Sequence, residues 1–412
     1  MKTTNALHKP TIVFVLLYLG YVISYIDRSA ISLALSHIGK DFNLGAGELG
    51  VVLSAFYLGY AAMQIPGGWL SDRFGAKRVV IVSIALWSVF TLMTGLAWSL
   101  ASLLIIRFLF GLGEGSYPSA AVKGVAEVYA RKDRPKMASL LISSNYTGSF
   151  AAPLIITPLL LWLGWRDVFL AIGVAGILFA IAFAFVVKRP EAYGNFQPEP
   201  AVSNTGKVST KELLRMPLLW KIVLVWFALG LVNKGLDAWM PMYLLTARGL
   251  DIKTVGMLVP LPFITASIAT AMGGWLMTKY FDGKEKLLMT GSCALTGLFM
   301  YGMYTSQTTA EVITYQAIVY FFKSFVFATA FALPTKILAQ RLVGTGIGMV
   351  NFGGQVAGFV SPMVIGFLVA HYGTYESAFL FLVCATVAAT LISLSISGRK
   401  VLAVQQANAH EA

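Results

Sequence analysis

Charge is scarce in this chain. Only 12% of its 412 residues are Asp, Glu, Lys or Arg, while 57% are hydrophobic. A soluble domain of ordinary composition carries about a quarter charged residues, so the shortage excludes a water-solvated globular chain. Cysteine is rarer still. Cys293 and Cys384 lie in different apolar runs and read as buried thiols, not as a disulfide framework or a metal site. Histidine offers little: His8 and His410 are terminal, and His37 and His371 fall near loops. Proton chemistry within the apolar runs therefore falls to carboxylates. No metal-ligand cluster, nucleophile with its base, or phosphate-binding glycine loop stands out, which argues against an enzyme and implies neither metal nor cofactor beyond protons.

What the chain has in abundance is apolar runs. A helix that crosses hydrocarbon needs roughly 20 mostly apolar residues. Runs of that kind recur at 11–35, 47–70, 79–97, 99–122, 138–160 and 164–187, then at 218–245, 253–278, 287–305, 309–335, 344–369 and 374–396. They predict an all-α integral membrane protein of about twelve transmembrane helices, with the lipid bilayer as its main partner. The formal charge of +13 raises the thought of nucleic acid, but its placement argues against that. If the N-terminus lies inside, the inner loops hold 22 of the 31 Lys and Arg, and the outer loops only Lys40, Arg166, Arg248 and Lys253. This is the positive-inside asymmetry, which predicts both termini in the cytoplasm. The opening "MKTTNALHKP" leads into a long first span without a clear small-residue cleavage site, so that span reads as retained.

The longest polar interruption, 189–217, is rich in Pro, Gly and charge, as a linker should be. It ends in Ser209-x-x-Glu212, a capping-box pattern that predicts a short surface helix. It divides the chain into a six-helix bundle at 1–188 and another at 218–412. The halves repeat: "GGWLSDRFGAKRVV" at 67–80 returns as "GGWLMTKYFDGKEKLL" at 273–288, an offset of 206. Paired halves about a midplane site are a common plan for secondary transporters.

Five basic residues fall within spans: Arg28, Arg107, Lys221, Lys234 and Lys323. Lys221 is close enough to an end to snorkel. Asp27 and Arg28 are adjacent in a run otherwise free of charge, and such groups pair, reach water or carry function. Arg107 and Glu114 are seven apart, about two helical turns and nearly on one face. "GLGEGSYP" supplies small residues that let a neighbouring helix approach the carboxylate. Arg28 offers a planar fork suited to a carboxylate. It could equally be a structural partner of Asp27 or Glu114.

Gly68-x-x-x-Asp72-Arg73-x-Gly75-x-Lys77-Arg78 resembles the loop signature of the major facilitator superfamily. Its glycines are expected to allow close packing and a tight turn, and its charges to hold one face closed. The second copy lacks the Asp and Arg, which assigns the gating role mainly to the first. "YxDRxxIxxAxxxI", "SAFYLGYAAMQIPGGWLSDRFG", "RFLFGLGEGSYP" and "NFGGQVAGFVSP" together resemble the anion:cation symporter branch, with its sugar-acid, sialic-acid and glutamate carriers. The resemblance implies the superfamily's two pseudo-symmetric bundles, a bacterial inner membrane and a monomer. It implies functional roles for Asp27, Arg28, Tyr60, Arg107, Glu114 and Asn351, with Gln355 one turn on. Asn145 falls where related carriers often have Gln, and keeps the amide with a shorter reach. Tyr25 and Tyr57 are weaker candidates. Lys234 and Lys323 depart from the sugar-acid pattern. The repeat places Lys234 where the first half has Arg28, either to grip a second acidic group or to be neutralised by Asp237 one turn on.

The leading expectation is proton-driven import of a small organic anion by alternating access. Arg28, Tyr60, Asn145, Lys234, Asn351 and Gln355 would take substrate, and Asp27, Glu114 and Arg107 would serve proton coupling. An organophosphate or dicarboxylate exchanger, and a transporter-like ligand sensor, are the alternatives.

Overall fold

The computed structural model describes residues 10–130, 133–188, 214–338 and 340–396. They fall into two compact units, one of residues 10–44 and 51–188, the other of 45–50 and 214–396. The described residues are helical throughout, with no strand among them. The first helices are α1 (Pro10–Phe42), α2 (Ala46–Phe74), α3 (Ala76–Gly95), α4 (Leu100–Gly115), α5 (Tyr117–Val128) and α6 (Arg134–Val186). The second set is α7 (Pro217–Thr246), α8 (Ile252–Leu258), α9 (Leu261–Lys279), α10 (Glu285–Thr305), α11 (Thr309–Ile337), α12 (Gln340–Tyr372) and α13 (Glu376–Leu394).

Eleven stretches among the described residues are long and apolar enough to cross a membrane. One of them, at 136–186, has 51 residues. At 1.5 Å per residue it would extend about 76 Å, more than twice a hydrocarbon core of roughly 30 Å. Gly164 breaks it, with φ 77° and ψ 166°, a region that only glycine enters freely. Counting the two sides separately gives the twelve spans expected. Arg166, just past the break, donates to the carbonyls of Gly95 and Ala97 at 3.2 and 2.7 Å and fastens the corner to the end of α3.

Other boundaries follow local chemistry. The run at 99–122 is interrupted after Gly115, because Pro118 has no N–H for the Glu114 carbonyl one turn back. The run at 253–278 divides at Pro260, between α8 and α9. Ser99 and Ser102 form a reciprocal capping box at the start of α4, as do Thr308 and Glu311 at α11. The Ser209–Glu212 box lies outside the described residues.

In the first unit, α1 packs on α6, and α3 packs on both α6 and α4. Helix α4 meets α2 backbone to backbone. A β-carbon on Gly59 would strike the Phe108 carbonyl oxygen, and one on Gly111 would strike that of Phe56. A β-carbon on Gly115 would come within 2.8 Å of the Tyr60 carbonyl, and one on Gly113 within 3.0 Å of the Trp87 nitrogen. The glycines of "GLGEGSYP" thus draw α2 and α3 in around Glu114. In the second unit, α7 packs on α12 and α13, and α11 on α9 and α10. Trp239 donates to the Pro362 carbonyl at 3.0 Å and Ser361 to that of Leu231 at 2.7 Å, tying α7 to α12. Leu219, Ile222, Met289, Cys293, Val326 and Val350 form one buried apolar core there.

Candidate functional site

Asp27 and Arg28 share a helix but not a partner. Successive residues on a helix point about 100° apart, and here that separates the two charges. The Arg28 guanidinium forms an ion pair with Glu114 Oε1 on α4. The same oxygen accepts from Ser24, one turn before Arg28 on α1, at 2.5 Å. Glu114 Oε2 has no hydrogen-bond partner. Asp27 instead accepts from Thr91 of α3 at 3.3 Å, while its Oδ1 has no partner. Of the two partners open to Arg28 in the sequence, Asp27 and Glu114, the structure pairs it with Glu114. Asp27 and Glu114 are each 1% exposed.

Aromatic rings enclose the guanidinium. The Arg28 Cζ lies 4.6 Å from the Tyr25 ring centroid, 4.7 Å from Tyr60 and 4.9 Å from Phe56, a cation–π setting that holds an arginine without neutralising it. Arg107 was expected to share a face with Glu114. It is 2% exposed, rests against Phe56 and Phe110 at 5.3 and 4.8 Å, and forms no ion pair among the described residues. Arg28, not Arg107, holds the carboxylate. Beneath them Tyr117 donates to the Leu17 carbonyl at 2.7 Å, with the rings of Tyr21 and Trp87 each 5.0 Å away.

Asn145 lies on α6, three residues before Gly148, where α6 meets the backbone of α1 beside Tyr25. It is half-buried with its Oδ1 unpartnered. In the second unit, Gln355 reaches Asn351 weakly at 3.4 Å and keeps its own Oε1 without a partner. Asp237 accepts from Asn233 at 3.1 Å and from the Tyr320 hydroxyl. Two contributors escaped the sequence reading, Ser24 and Thr91, which are ordinary residues in apolar helices; Tyr25, a weaker candidate there, lies against the Arg28 guanidinium. The available signal was spacing, since Ser24 sits four residues before Arg28.

The loop signature is partly as expected. Gly75 turns the chain with φ 81°. Asp72 pairs with Lys123 of α5 at 2.9 Å, and that lysine also bonds the Ser71 carbonyl at 2.9 Å. Lys77 and Arg78 open α3. Two expectations need correction. Nothing lies within 4 Å of where a Gly68 β-carbon would be; the close approach is made at Gly67, where an added β-carbon would fall 2.5 Å from the Ser116 Cα. The second copy also keeps a charge lock. Lys336, at the end of α11, bonds Asp282 at 2.5 Å and Glu285 at 2.6 Å. The acid has moved from the helix end into the turn, beside Gly283 with φ 71°. Arg73 lies over Trp69 and Phe74 at 5.1 and 5.5 Å, and Lys279 over Trp275 and Tyr280 at 5.0 and 5.3 Å. Those three positions match at the 206-residue offset, so the repeat extends to side-chain contacts.

Membrane-length helices in two related sets, with buried ionisable groups in mid-span, define a multi-pass membrane carrier. The Major Facilitator Superfamily model matches residues 17–362 and 254–409. A probable sulfoacetate transporter, SauU, of Cupriavidus necator is 31% identical over 378 residues, 88% of each chain. The hexuronate transporter of Bacillus subtilis is 30% identical over 386 residues, 90% of each. Among solved structures, a bacterial homologue of the human lysosomal transporter Spinster, inward-facing and occupied, superimposes with a TM-score of 0.77. It is 18% identical, with 96% of this chain and 97% of that one covered. The chain belongs to the Major Facilitator Superfamily and is a transporter, not an enzyme.

Proposed function

We propose that the chain imports a small organic anion together with protons, by alternating access, across a bacterial inner membrane with both termini in the cytoplasm. The observation that carries this reading is the pairing of Arg28 with Glu114. While Glu114 is ionised it occupies the guanidinium. A proton on Glu114 removes that competitor and frees the fork for a substrate carboxylate. Anion binding and proton binding then favour one another, and such coupling is reciprocal. Asp27, buried and without an ion pair among the described residues, supplies a second proton position. Tyr60 and Asn145 are the first unit's further candidates for contact with the anion, and Lys234, Asn351 and Gln355 are those of the second unit. Arg107 holds the local field positive.

The names of the two relatives, a sulfoacetate and a hexuronate transporter, support an organic acid as the substrate class. Inward flux would draw on the pH gradient and, where net positive charge moves, on the membrane potential. The test is uptake by proteoliposomes of the purified protein, offered hexuronates, aldonates and sulfonated acids. Accumulation above the outside concentration only when the outside is acidified is the expected result. Uptake that ignores the gradient and requires an internal counter-anion would replace symport by exchange, and saturable binding without uptake would indicate a sensor.

A further inference from the structure

Lys323 has no role in the scheme above, and its setting is unusual. It lies at the centre of α11, fourteen residues from either end, half-buried within the second unit. It makes no hydrogen bond or ion pair among the described residues. Its ammonium instead sits 4.1 Å from the centroid of the Tyr320 ring. That ring is fixed from two sides. The Tyr320 hydroxyl donates to Asp237 on α7, and the ring meets Phe263 of α9 edge-on at 5.5 Å. Asp237 takes its other hydrogen bond from Asn233 at 3.1 Å.

Asp237, the carboxylate of this cluster, thus has one neutral donor on each oxygen, a phenol and an amide, and no direct bond to Lys323. Lys234, by contrast, already has a contact of its own. Two turns before Lys323 on the same face of α11, Gln316 is 3% exposed with its Oε1 unpartnered. A cation at mid-span depth is costly unless it meets an anion or water. A tyrosine face eases that cost without cancelling the charge. Such a lysine, held by a rigid ring and without a direct ion pair among the described residues, is suited to an anionic group that comes and goes with each cycle.

We propose that Lys323 is an anion-binding residue of the second unit, positioned by the Asp237–Tyr320–Phe263 brace, and that the transported acid carries a second acidic group to meet it. The inference rests on the reading of the chain as an organic-anion carrier and narrows the substrate to small dianions, dicarboxylates or carboxylate–sulfonates. The competing account makes Lys323 only a counter-charge to Asp237.

Titration calorimetry on the purified full chain separates these accounts, with matched pairs as probes: galactonate against galactarate, and acetate against sulfoacetate. Wild type is expected to bind the diacid of a pair more tightly. Lys323→Gln should lose about tenfold in affinity for the diacid, the size of one charge-assisted hydrogen bond, with the monoacid within about twofold. Lys323→Arg should keep most of the diacid affinity. Should Lys323→Gln fail to fold, Lys323→Gln with Asp237→Asn keeps the net charge of the wild-type cluster and is judged by the same comparison. Equal loss for both acids, no loss for either, or tighter wild-type binding of the monoacid overturns the proposal. If wild type binds none of the acids, the anion-carrier reading falls with it, a result distinct from non-selective loss.

Discussion

Arg28 is held twice, by the carboxylate of Glu114 and by the rings of Tyr25, Phe56 and Tyr60. Lysine keeps the charge but loses the planar fork and much of the stacking. Arg28→Lys is expected to weaken substrate binding by roughly 1.5–3 kcal/mol, the range for a charge-assisted hydrogen bond, or tenfold and more in the dissociation constant. Unchanged affinity in a folded protein would reduce the pair to a structural one. Asp27 makes no ion pair among the described residues, so Asp27→Asn should leave the melting temperature nearly unaltered while impairing concentrative uptake; equal uptake would remove Asp27 from coupling. Arg28, Glu114 and Asp27 stood out in the sequence because ionisable groups in apolar runs are rare. Their pairing did not. Helical spacing reports neighbours three or four residues apart, whereas Arg28 and Glu114 are 86 residues apart and meet only through the crossing of α1 and α4.

Glycine sets the distances between elements. A methyl group on Gly111 would meet the Phe56 carbonyl oxygen, an atom of rigid backbone. Gly111→Ala is therefore expected to cost about 1–3 kcal/mol by overpacking and to lower the melting temperature in detergent. Gly68→Ala, with open space at the β-carbon, should be nearly neutral in the same measurement. The "GxGEG" run announced a close crossing, but which of Gly67 and Gly68 faces a neighbour depends on the rotation of α2, which the motif does not encode.

The Lys336 lock in the second unit makes a different prediction. Hydrogen bonding to Lys336, with its charge, holds the Asp282 carboxyl below its ordinary range. Burial works against the Lys336 ammonium, but bonds to Asp282 and Glu285 outweigh it and raise its value. A lowered acid stabilises above its unfolded value and loses that contribution as pH falls through the folded one. A raised base stabilises below its unfolded value and loses it as pH rises further. The lock should thus be constant from about pH 5 to 9, between the ordinary ranges of Asp and Lys. Lys336→Ala leaves Glu285, 1% exposed, without its cation. It should lower stability by about 1–3 kcal/mol, by the same amount at pH 6 and pH 8. A loss that changes between those values would assign the effect to another group. The sequence hid this lock because the two-residue lengthening of the turn moved the acid out of register with Asp72.

At the scale of the whole molecule, the sequence made the class legible and left the couplings open. Apolar runs, loop charge and the repeat were enough for twelve spans in two related sets, because hydrocarbon thickness and the positive-inside bias act on composition alone. The break at Gly164 was legible to within a few residues, since the apolar runs at 138–160 and 164–187 part beside it and Arg166 and Asp167 follow. Which acid holds which base depends on tertiary crossings, and the central claim depends on one of them: that a proton on Glu114 releases Arg28 for the substrate anion. Glu114→Gln mimics the protonated state, so its proteoliposomes offer the most direct measurement. Under an inward proton gradient, the variant is expected to exchange labelled substrate across the membrane but no longer to concentrate it. Concentrative uptake at the wild-type level, still driven by the gradient, would contradict the central claim.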